Sequence, residues 1–212
     1  MMRVGALFSH DPGGDHFCTA SVVSSPRRDM LITAAHCIHG GKGKTYRQDI
    51  VFVPGYRNGA MPYGIWVPRT MVVARAWTRS SDPALDVAFI VLQPRHGRNI
   101  QQVLGANKLG VNQGFHHVVR VTGYPGNGKE PITCINTTRW QSRNQMRFVC
   151  KGYSAGTSGS PWVERFNPVT RRGTIIGVIG GYQHGGDTPD VSYSPYFDGK
   201  IRRLYEKAAG QS

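Results

Sequence analysis

The sequence predicts an all-β protein whose strands divide between two similar halves. Of its 212 residues, 39% are hydrophobic, and 27 glycines and 13 prolines separate short apolar runs. Short β-branched or aromatic runs between turn residues are typical of strands in barrels and sandwiches. A chain of this length forms either one large all-β core or two small ones. We therefore expect mostly β structure.

Nine segments carry the strand pattern, and strand-like sequence also follows the first three residues. Residues 93–113 combine Pro, Gly, Asn and charge with weak periodicity, which is typical of a linker that crosses between two halves. We therefore expect one domain over residues 1–105 and a second over residues 106–212. The nine predicted strands are residues 17–23, 30–33, 50–54, 65–74, 87–92, 118–124, 147–150, 160–164 and 174–180.

One helix is predicted, close to the end of the chain. Asp198 has the side chain of an N-cap, and Gly210 is a typical stop signal. The helix should therefore cover residues 199–209. Its apolar face would carry Ile201, Leu204 and Tyr205.

The cysteine count indicates two disulfides, since an even number falls into one pair for each half of the chain. Three connectivities are possible, of which pairing within each half is the simplest. Each bridge would be worth on the order of 3 kcal/mol in the chain-entropy model. Disulfides belong to oxidising compartments, so we expect a secreted, extracellular protein whose leader is not in this sequence. The four residues are Cys18, Cys37, Cys134 and Cys150.

The chain is strongly basic, with 26 Lys and Arg against 12 Asp and Glu and a formal net charge of +14. Such a surface attracts nucleic acids, anionic surfaces or acidic proteins. The basic residues are scattered without a long basic arm, so no specific nucleic-acid partner is predicted. No apolar run approaches the roughly 18 residues of a membrane helix. With no heptad pattern or apolar stripe, we expect a monomer.

Three stretches could carry chemistry. His36, in TAAHC, ends an apolar run, and Asp86, in LDVAF, directly precedes an apolar strand. A carboxylate there is costly unless it accepts hydrogen bonds, for instance from an imidazole N–H. Ser158, in GTSGSP, lies among small residues that permit a tight turn with converging backbone N–H groups. Each residue alone has a plain structural explanation, but together they offer a base, its orienting carboxylate and a nucleophile.

The segments TAAHC, DVAF and GTSGSP, in the order His, Asp, Ser, resemble the three signature segments of the chymotrypsin-like serine proteases. The resemblance covers nearly the whole chain, from about residue 4 to residue 205. Within this family, three segments are most similar to the secreted bacterial and fungal branch that includes the glutamyl endopeptidases. These segments are VGALF, HFCTASVV and GTSGSP. The resemblance implies two six-stranded antiparallel β-barrels, a short C-terminal helix and an active site between the barrels.

The resemblance also assigns roles. His36 would be the general base and acid, Asp86 its orienting partner and Ser158 the nucleophile, with His36 and Asp86 carried by the first barrel and Ser158 by the second. The backbone N–H groups of Gly156 and Ser158 would form the oxyanion hole. It implies a serine endopeptidase that cleaves protein or peptide substrates through an acyl-enzyme and needs no cofactor.

A metal site is not predicted. His16, Cys18, His36 and Cys37 are residue types that bind zinc, but the adjacent pair His36 and Cys37 is poorly spaced for a structural tetrahedral site. The family's matching cysteines instead imply a disulfide between Cys18 and Cys37.

One position departs from the pattern of most animal members. They have an Asp immediately before the nucleophile, and it pairs with a newly freed N-terminal amine. This chain has Thr157 there, so we hypothesise that its active conformation does not depend on that ion pair. Residues added before Val4 should then leave turnover largely intact.

The sequence predicts the catalytic residues better than it predicts the pocket that binds the substrate residue before the cleaved bond. Glutamate-preferring relatives use a pocket histidine at the position where this chain has Ile179. Trypsin-type enzymes have a carboxylate at the floor of the pocket, where this chain has Gly152. His184 and Asp190 are expected close to the pocket. The prediction therefore leans slightly to uncharged residues. The predicted substrate-binding residues are Ala155, Gly180, Gly181, Tyr182 and Ser192.

Two alternatives to an endopeptidase remain open. A cationic binding protein on a protease fold would use the net charge of +14 to hold anionic polymers, with little turnover. An esterase would share the nucleophile, and only a comparison of amide with ester substrates separates it from a peptidase.

Overall fold

The computed structural model describes residues 2–9, 16–126 and 128–211. Strands dominate, and the only long helix in the described residues lies near the end of the chain. The all-β prediction is therefore confirmed. No helix in the described ranges is both long enough and apolar enough to cross a membrane.

The first half of the chain forms one six-stranded antiparallel sheet. Its strands are β1 (Val4–Ser9), β2 (His16–Val23), β3 (Met30–Thr33), β4 (Ile50–Pro54), β5 (Pro68–Val73) and β6 (Ala88–Leu92). Their order is β4, β1, β2, β3, β6, β5. The sheet curls until its edge strands meet, and Phe52 of β4 forms an antiparallel bridge to Trp66, just before β5. The result is a barrel with an apolar interior.

Strands β3 and β6 are buried along their whole length. Residues of one face, such as Leu31 and Ile90, lie in the barrel interior. Residues of the other face, such as Ile32 and Phe89, belong to a second apolar cluster that contains Leu204 near the end of the chain. Because both faces are covered, these strands appear in the sequence as continuous apolar runs rather than as alternating patterns.

The second half is built from two sheets that share one apolar core. Its strands are β7 (Lys108–Leu109), β8 (Val118–Gly123), β9 (Ile132–Thr137), β10 (Arg139–Ser142), β11 (Gln145–Val149), β12 (Pro161–Asn167), β13 (Arg172–Val178) and β14 (Val191–Pro195). One sheet has the order β7, β13, β12, β8, β9, with β7 parallel to β13, and the other has β10, β11, β14. Val121, Phe148 and Trp162 pack together in the core between them.

The helices are α1 (Arg75–Ser80), α2 (Ile100–Leu104) and α3 (Gly199–Ala209). Helix α3 matches its prediction, because the Asp198 carboxylate accepts hydrogen bonds from the first turn and Gly210 is the C-cap. Its apolar face packs on the first barrel, against β5 and β6. Helix α2 lies inside the predicted linker, where Asn99 and Gln102 form a reciprocal capping box.

Both disulfides are formed within their halves of the chain. Cys18 of β2 bonds to Cys37, and Cys134 of β9 bonds to Cys150, directly after β11. The first bridge lies in the apolar core of the first barrel. It therefore fixes the segment that follows β3, which carries His36.

Candidate active site

His36 lies in a single 3₁₀ turn, Ala35–Cys37, shortly after β3. Ala34 and Ala35 are completely buried and pack in the apolar core of the first barrel. The Cys18–Cys37 bridge fixes the far end of the turn. The buried alanines and the disulfide hold the backbone of His36 in place. Its side chain is 17% exposed, so the ring still reaches the surface.

Asp86 is completely buried and faces His36. The 3₁₀ turn Pro83–Leu85, capped by the Asp82 carboxylate, places it just before β6. Its Oδ1 accepts from the backbone N–H of His36 at 2.9 Å. Its Oδ2 lies 2.8 Å from His36 Nδ1 and accepts from the backbone N–H of Gly181 at 2.8 Å. An ionised carboxylate only accepts, so Nδ1 carries the proton and Nε2 of the neutral ring is left as an acceptor.

Opposing effects determine the ionisation of Asp86. Burial alone raises the pKa of a carboxyl group. The charge and the side-chain hydrogen bond of His36, followed by the backbone N–H groups of Gly181 and His36, outweigh burial and lower the pKa of Asp86 below its usual value. The carboxylate is therefore ionised at neutral pH and stabilises a positive charge on the neighbouring imidazole.

Ser158 lies in a loop that Thr19 of β2 anchors from behind. The backbone N–H of Thr19 donates to the Ser158 carbonyl at 2.7 Å, and its hydroxyl donates to the Gly156 carbonyl at 3.1 Å. The same hydroxyl accepts from the backbone N–H of Tyr124 at 2.9 Å. Sequence reasoning missed Thr19, although a threonine within a largely apolar predicted strand was an available signal; the structure shows that this residue is completely buried.

Glycine at position 159 brings the serine loop against the segment that carries His36. Gly159 has a φ of +83°, and an added Cβ would overlap Thr33 and lie 3.1 Å from the backbone nitrogen of Ala34. Its own N–H donates to the Ile179 carbonyl at 2.7 Å. The structure thus packs the loop of Ser158 directly against the end of β3, two residues before His36.

The loop around Ser158 leaves two backbone donors free. Among the described residues, the N–H groups of Gly156 and Ser158 donate no hydrogen bond, whereas that of Thr157 donates to the Ser154 carbonyl at 3.1 Å. Gly156 has a φ of +94°, and a Cβ there would lie 2.5 Å from the backbone nitrogen of Gly126. Only glycine allows this close approach. The loop therefore presents two free backbone donors at Gly156 and Ser158.

Gln145 was not singled out by the sequence, and it connects three parts of the site. It is nearly buried in β11, and its Nε2 donates to the Pro83 carbonyl at 3.0 Å. Its Oε1 accepts from the backbone N–H of Tyr182 at 3.1 Å. Its partners are remote in sequence, so no local pattern could have found it. Gln145 links the turn before Asp86 to the segment after Gly181.

The chain is similar to known proteins in both sequence and structure. Residues 18–170 match the trypsin-like peptidase domain. The chain belongs to this family. As a trypsin-like peptidase, it is a serine endopeptidase, a hydrolase of peptide bonds.

Solved structures share the whole architecture. A thermostable serine protease, AL20, from an extremophilic microorganism is 27% identical, with a TM-score of 0.87 over 100% of this chain and 98% of its own. Protease Anisep from Arthrobacter nicotinovorans is 26% identical, with a TM-score of 0.86 over 99% and 96%. A Glu endopeptidase, at 15% identity and a TM-score of 0.76 over 99% and 91%, shares the fold. The sequence has no significant match among curated proteins.

Two of the predicted pocket residues border Asp86 in this trypsin-like peptidase. A Cβ at Gly180 would lie 3.1 Å from both the carbonyl oxygen and Oδ2 of Asp86. Gly181 has a φ of +79°, and a Cβ there would overlap the Gln145 side chain. A side chain at position 180 would therefore crowd the carboxylate, and position 181 needs glycine for its backbone conformation and for its close approach to Gln145.

The other predicted pocket residues differ in exposure. Ala155 is exposed, Tyr182 is 45% exposed and Ser192 is almost completely buried. The Tyr182 ring stands perpendicular to that of Tyr193, with 5.0 Å between centroids. Ile179 lies in the apolar core that the two sheets of the second half share. The exposed tyrosine thus projects from the segment that also supplies Gly180 and Gly181.

His184 lies beside His36. Gln183 and His184 both have φ values of 52°, a left-handed conformation that non-glycine residues adopt rarely. This turn places the His184 ring perpendicular to that of His36, with 5.2 Å between centroids. His184 is exposed and is therefore a close neighbour of His36 at the surface.

Two groups of potential metal ligands occur among the described residues. One consists of Cys18, His36 and Cys37, and the other of His36, Asp86 and His184. The cysteines of the first group are joined as a disulfide. In the second, the carboxylate and the imidazole are hydrogen-bonded to each other.

Proposed function

We propose that this serine endopeptidase acts outside the cell through a triad of Ser158, His36 and Asp86. His36 Nε2 accepts the hydroxyl proton as Ser158 Oγ attacks the substrate carbonyl and the new C–O bond forms. The 2.8 Å contact between Asp86 and Nδ1 supports this assignment most directly. It leaves Nε2 free of a proton before attack, and the ionised carboxylate stabilises the imidazolium afterwards.

The remaining steps use the same groups. Negative charge on the substrate oxygen is stabilised by the N–H groups of Gly156 and Ser158, and each such donor is typically worth about 2.7–4 kcal/mol in the transition state. The protonated His36 then gives its proton to the departing amine, the C–N bond breaks, and an ester to Ser158 remains. Water attacks this ester with His36 again as base, which releases the acid and restores the serine.

The pocket favours a substrate residue without charge before the cleaved bond. Gly152 supplies no carboxylate at the floor position for a basic residue, and Ile179 supplies no imidazole for an acidic one. Asp190 is exposed, and its carbonyl oxygen accepts from the backbone N–H of Cys150 at 3.0 Å. Tyr182, exposed at the rim, would limit the size of the side chain that enters.

The proposal also covers the compartment in which the enzyme acts and its oligomeric state. The two formed disulfides favour an oxidising, extracellular compartment. We propose a monomer with two barrel domains, residues 1–105 and 106–212, which acts on peptides without a cofactor. Gel filtration with light scattering measures the mass, and a dimer at micromolar concentration would contradict this part.

The test of the triad is cleavage of a diverse peptide pool, analysed by mass spectrometry, with Ser158→Ala beside the parent chain. Ser154→Ala is the matched control, since Ser154 contributes to the same loop through its carbonyl oxygen. We expect cleavage by the parent and the control only. Covalent labelling by a serine-reactive fluorophosphonate should map to Ser158. Equal cleavage by Ser158→Ala would remove this residue from the mechanism.

The high net charge of +14 supports a second candidate, a cationic binding protein with little turnover. Its signature would be salt-sensitive binding of anionic polymers together with negligible cleavage by the parent chain. If the parent instead cleaves only ester substrates, the enzyme is an esterase. The same peptide pool, supplemented with matched amide and ester substrates, separates these outcomes.

A further inference from the structure

A small cavity of about 50 Å³ lies outside the active site and is lined by three arginines and no acidic residue. Arg3 enters it from the segment before β1, Arg120 from β8, and Arg171 from the turn between β12 and β13. None of its lining residues is a site residue named above. Part of the wall is apolar and includes Val4, Pro161, Val163 and Phe166.

Arg3 is incompletely satisfied in this cavity. Its guanidinium donates to the Arg171 carbonyl and, at 3.3 Å, to the Thr170 carbonyl. Its Nε is buried and has no hydrogen-bond partner among the described residues. Burial, and then the nearby charges of Arg172 and Arg171, lower the pKa of Arg3. A buried donor without a partner and a cation beside other cations are both unfavourable, and an anion would relieve both.

A second cavity of about 330 Å³ adjoins the first at Arg3. Lys108 and Arg172 line it, together with Gly105, and its lining also contains no acidic residue. A Cβ at Gly105 would lie 2.8 Å from Arg3 Nη2, so the guanidinium stands between the two cavities. We call the combined surface the basic groove; its cations are Arg3, Lys108, Arg120, Arg171 and Arg172.

The chemistry of these side chains selects phosphate groups. Guanidinium groups bind phosphate through paired N–H donors. The Arg120 guanidinium lies over the Phe166 ring, 4.8 Å from its centroid, and an apolar wall of this kind weakens the screening of charge by water. One phosphate group is too small to engage all five cations of two cavities at once. We propose that the basic groove binds a ligand with several adjacent phosphate groups, such as a linear polyphosphate.

The test is calorimetric titration of tripolyphosphate into the Ser158→Ala chain, which does not depend on peptidase activity. Arg3→Gln with Arg171→Gln should weaken binding by at least about tenfold, equivalent to about 1.4 kcal/mol. The control, Arg139→Gln with Arg143→Gln, removes the same charge from exposed positions around β10 and should change the affinity by less than about threefold, because diffuse charge is largely screened.

Three results would overturn the proposal. Equal weakening in both double variants would show attraction to the net charge rather than a site. Orthophosphate binding as tightly as tripolyphosphate would show a site for a single phosphate. Tighter binding of a sulfated oligosaccharide of equal charge would place the ligand in another class. If the Arg3 variant loses its thermal unfolding transition, Lys108→Gln with Arg172→Gln, both exposed, replaces it with the same expected weakening.

Discussion

Replacing Asp86 with Asn tests the central contact of the proposed triad with almost no change in volume. The carboxylate accepts three hydrogen bonds, two of them from His36. An amide has one oxygen, so whichever way Asn is placed, its NH₂ group faces a backbone N–H. If that NH₂ takes the place of Oδ2, Nδ1 must become an acceptor, and Nε2 then carries the proton that a general base has to lack.

Asp86→Asn should lower both the folding stability and kcat. A buried donor left without an acceptor costs about 1–3 kcal/mol of folding stability. The equivalent change in triad enzymes lowers kcat about 10⁴-fold because the wrong tautomer is held, and we expect a loss of that order for Asp86→Asn. Asp82→Asn is the matched control, because Asp82 caps the preceding turn through one oxygen that an amide retains.

The stability loss should depend on pH in a defined direction. Folding lowers the pKa of Asp86 below its ordinary value of 3.8. Its ionised form therefore stabilises the fold above pH 3.8, and this contribution is lost as the pH falls through the folded-state pKa. The difference in unfolding free energy between parent and variant should be largest at neutral pH and shrink in acid.

Two assays check these expectations. Initial rates on a cleaved peptide give kcat and KM, and urea unfolding in a Ser158→Ala background, which prevents self-digestion, gives stability. A folded Asp86→Asn variant that keeps kcat within about tenfold of the parent would refute the role assigned to Asp86. A stability difference that grows in acid would refute the argument from its lowered pKa.

Three further predictions concern the support of the site. Gly180→Ala would press a methyl group on the carboxylate of Asp86 and should lower kcat/KM by about 10²-fold, as measured by initial rates. Thr157→Val removes a hydroxyl donor and should cost about 1 kcal/mol in urea unfolding with little effect on turnover. Replacing Cys18 and Cys37 together by Ser should cost on the order of 3 kcal/mol in the same assay; an unchanged midpoint would contradict it.

The local signals in the sequence predicted much of the fold. Apolar runs marked β3 and β6, because strands covered on both faces need apolar side chains throughout. Asp198 and Gly210 marked the ends of α3, because capping is a local interaction between neighbouring residues. Helix α2 was missed although its capping residues are adjacent in sequence, because one helical turn has too little periodicity to detect.

Other strands could not be predicted from local pattern. Strands β9 and β10 lie at sheet edges, contain no fully buried residue and expose both polar and apolar side chains, so they lack the apolar alternation that identifies a strand. Strand β14 pairs with β11 and is formed by only five residues. Their pairing depends on partners that are distant in the chain, and a single sequence contains no direct signal for such contacts.

The sequence by itself determined the all-β fold class, the family resemblance and the three candidate catalytic residues, because these depend on residue types in short segments. Only the tertiary structure decided that the Asp86 carboxylate meets His36 and the N–H of Gly181, and that Gln145 and Thr19 support the site. The hydrogen bond between His36 and Asp86, 50 positions apart, depends on the fold of the first barrel, and the one between Asp86 and Gly181, 95 positions apart, depends on how the two halves of the chain pack. That packing results from the whole apolar core, which no short segment encodes.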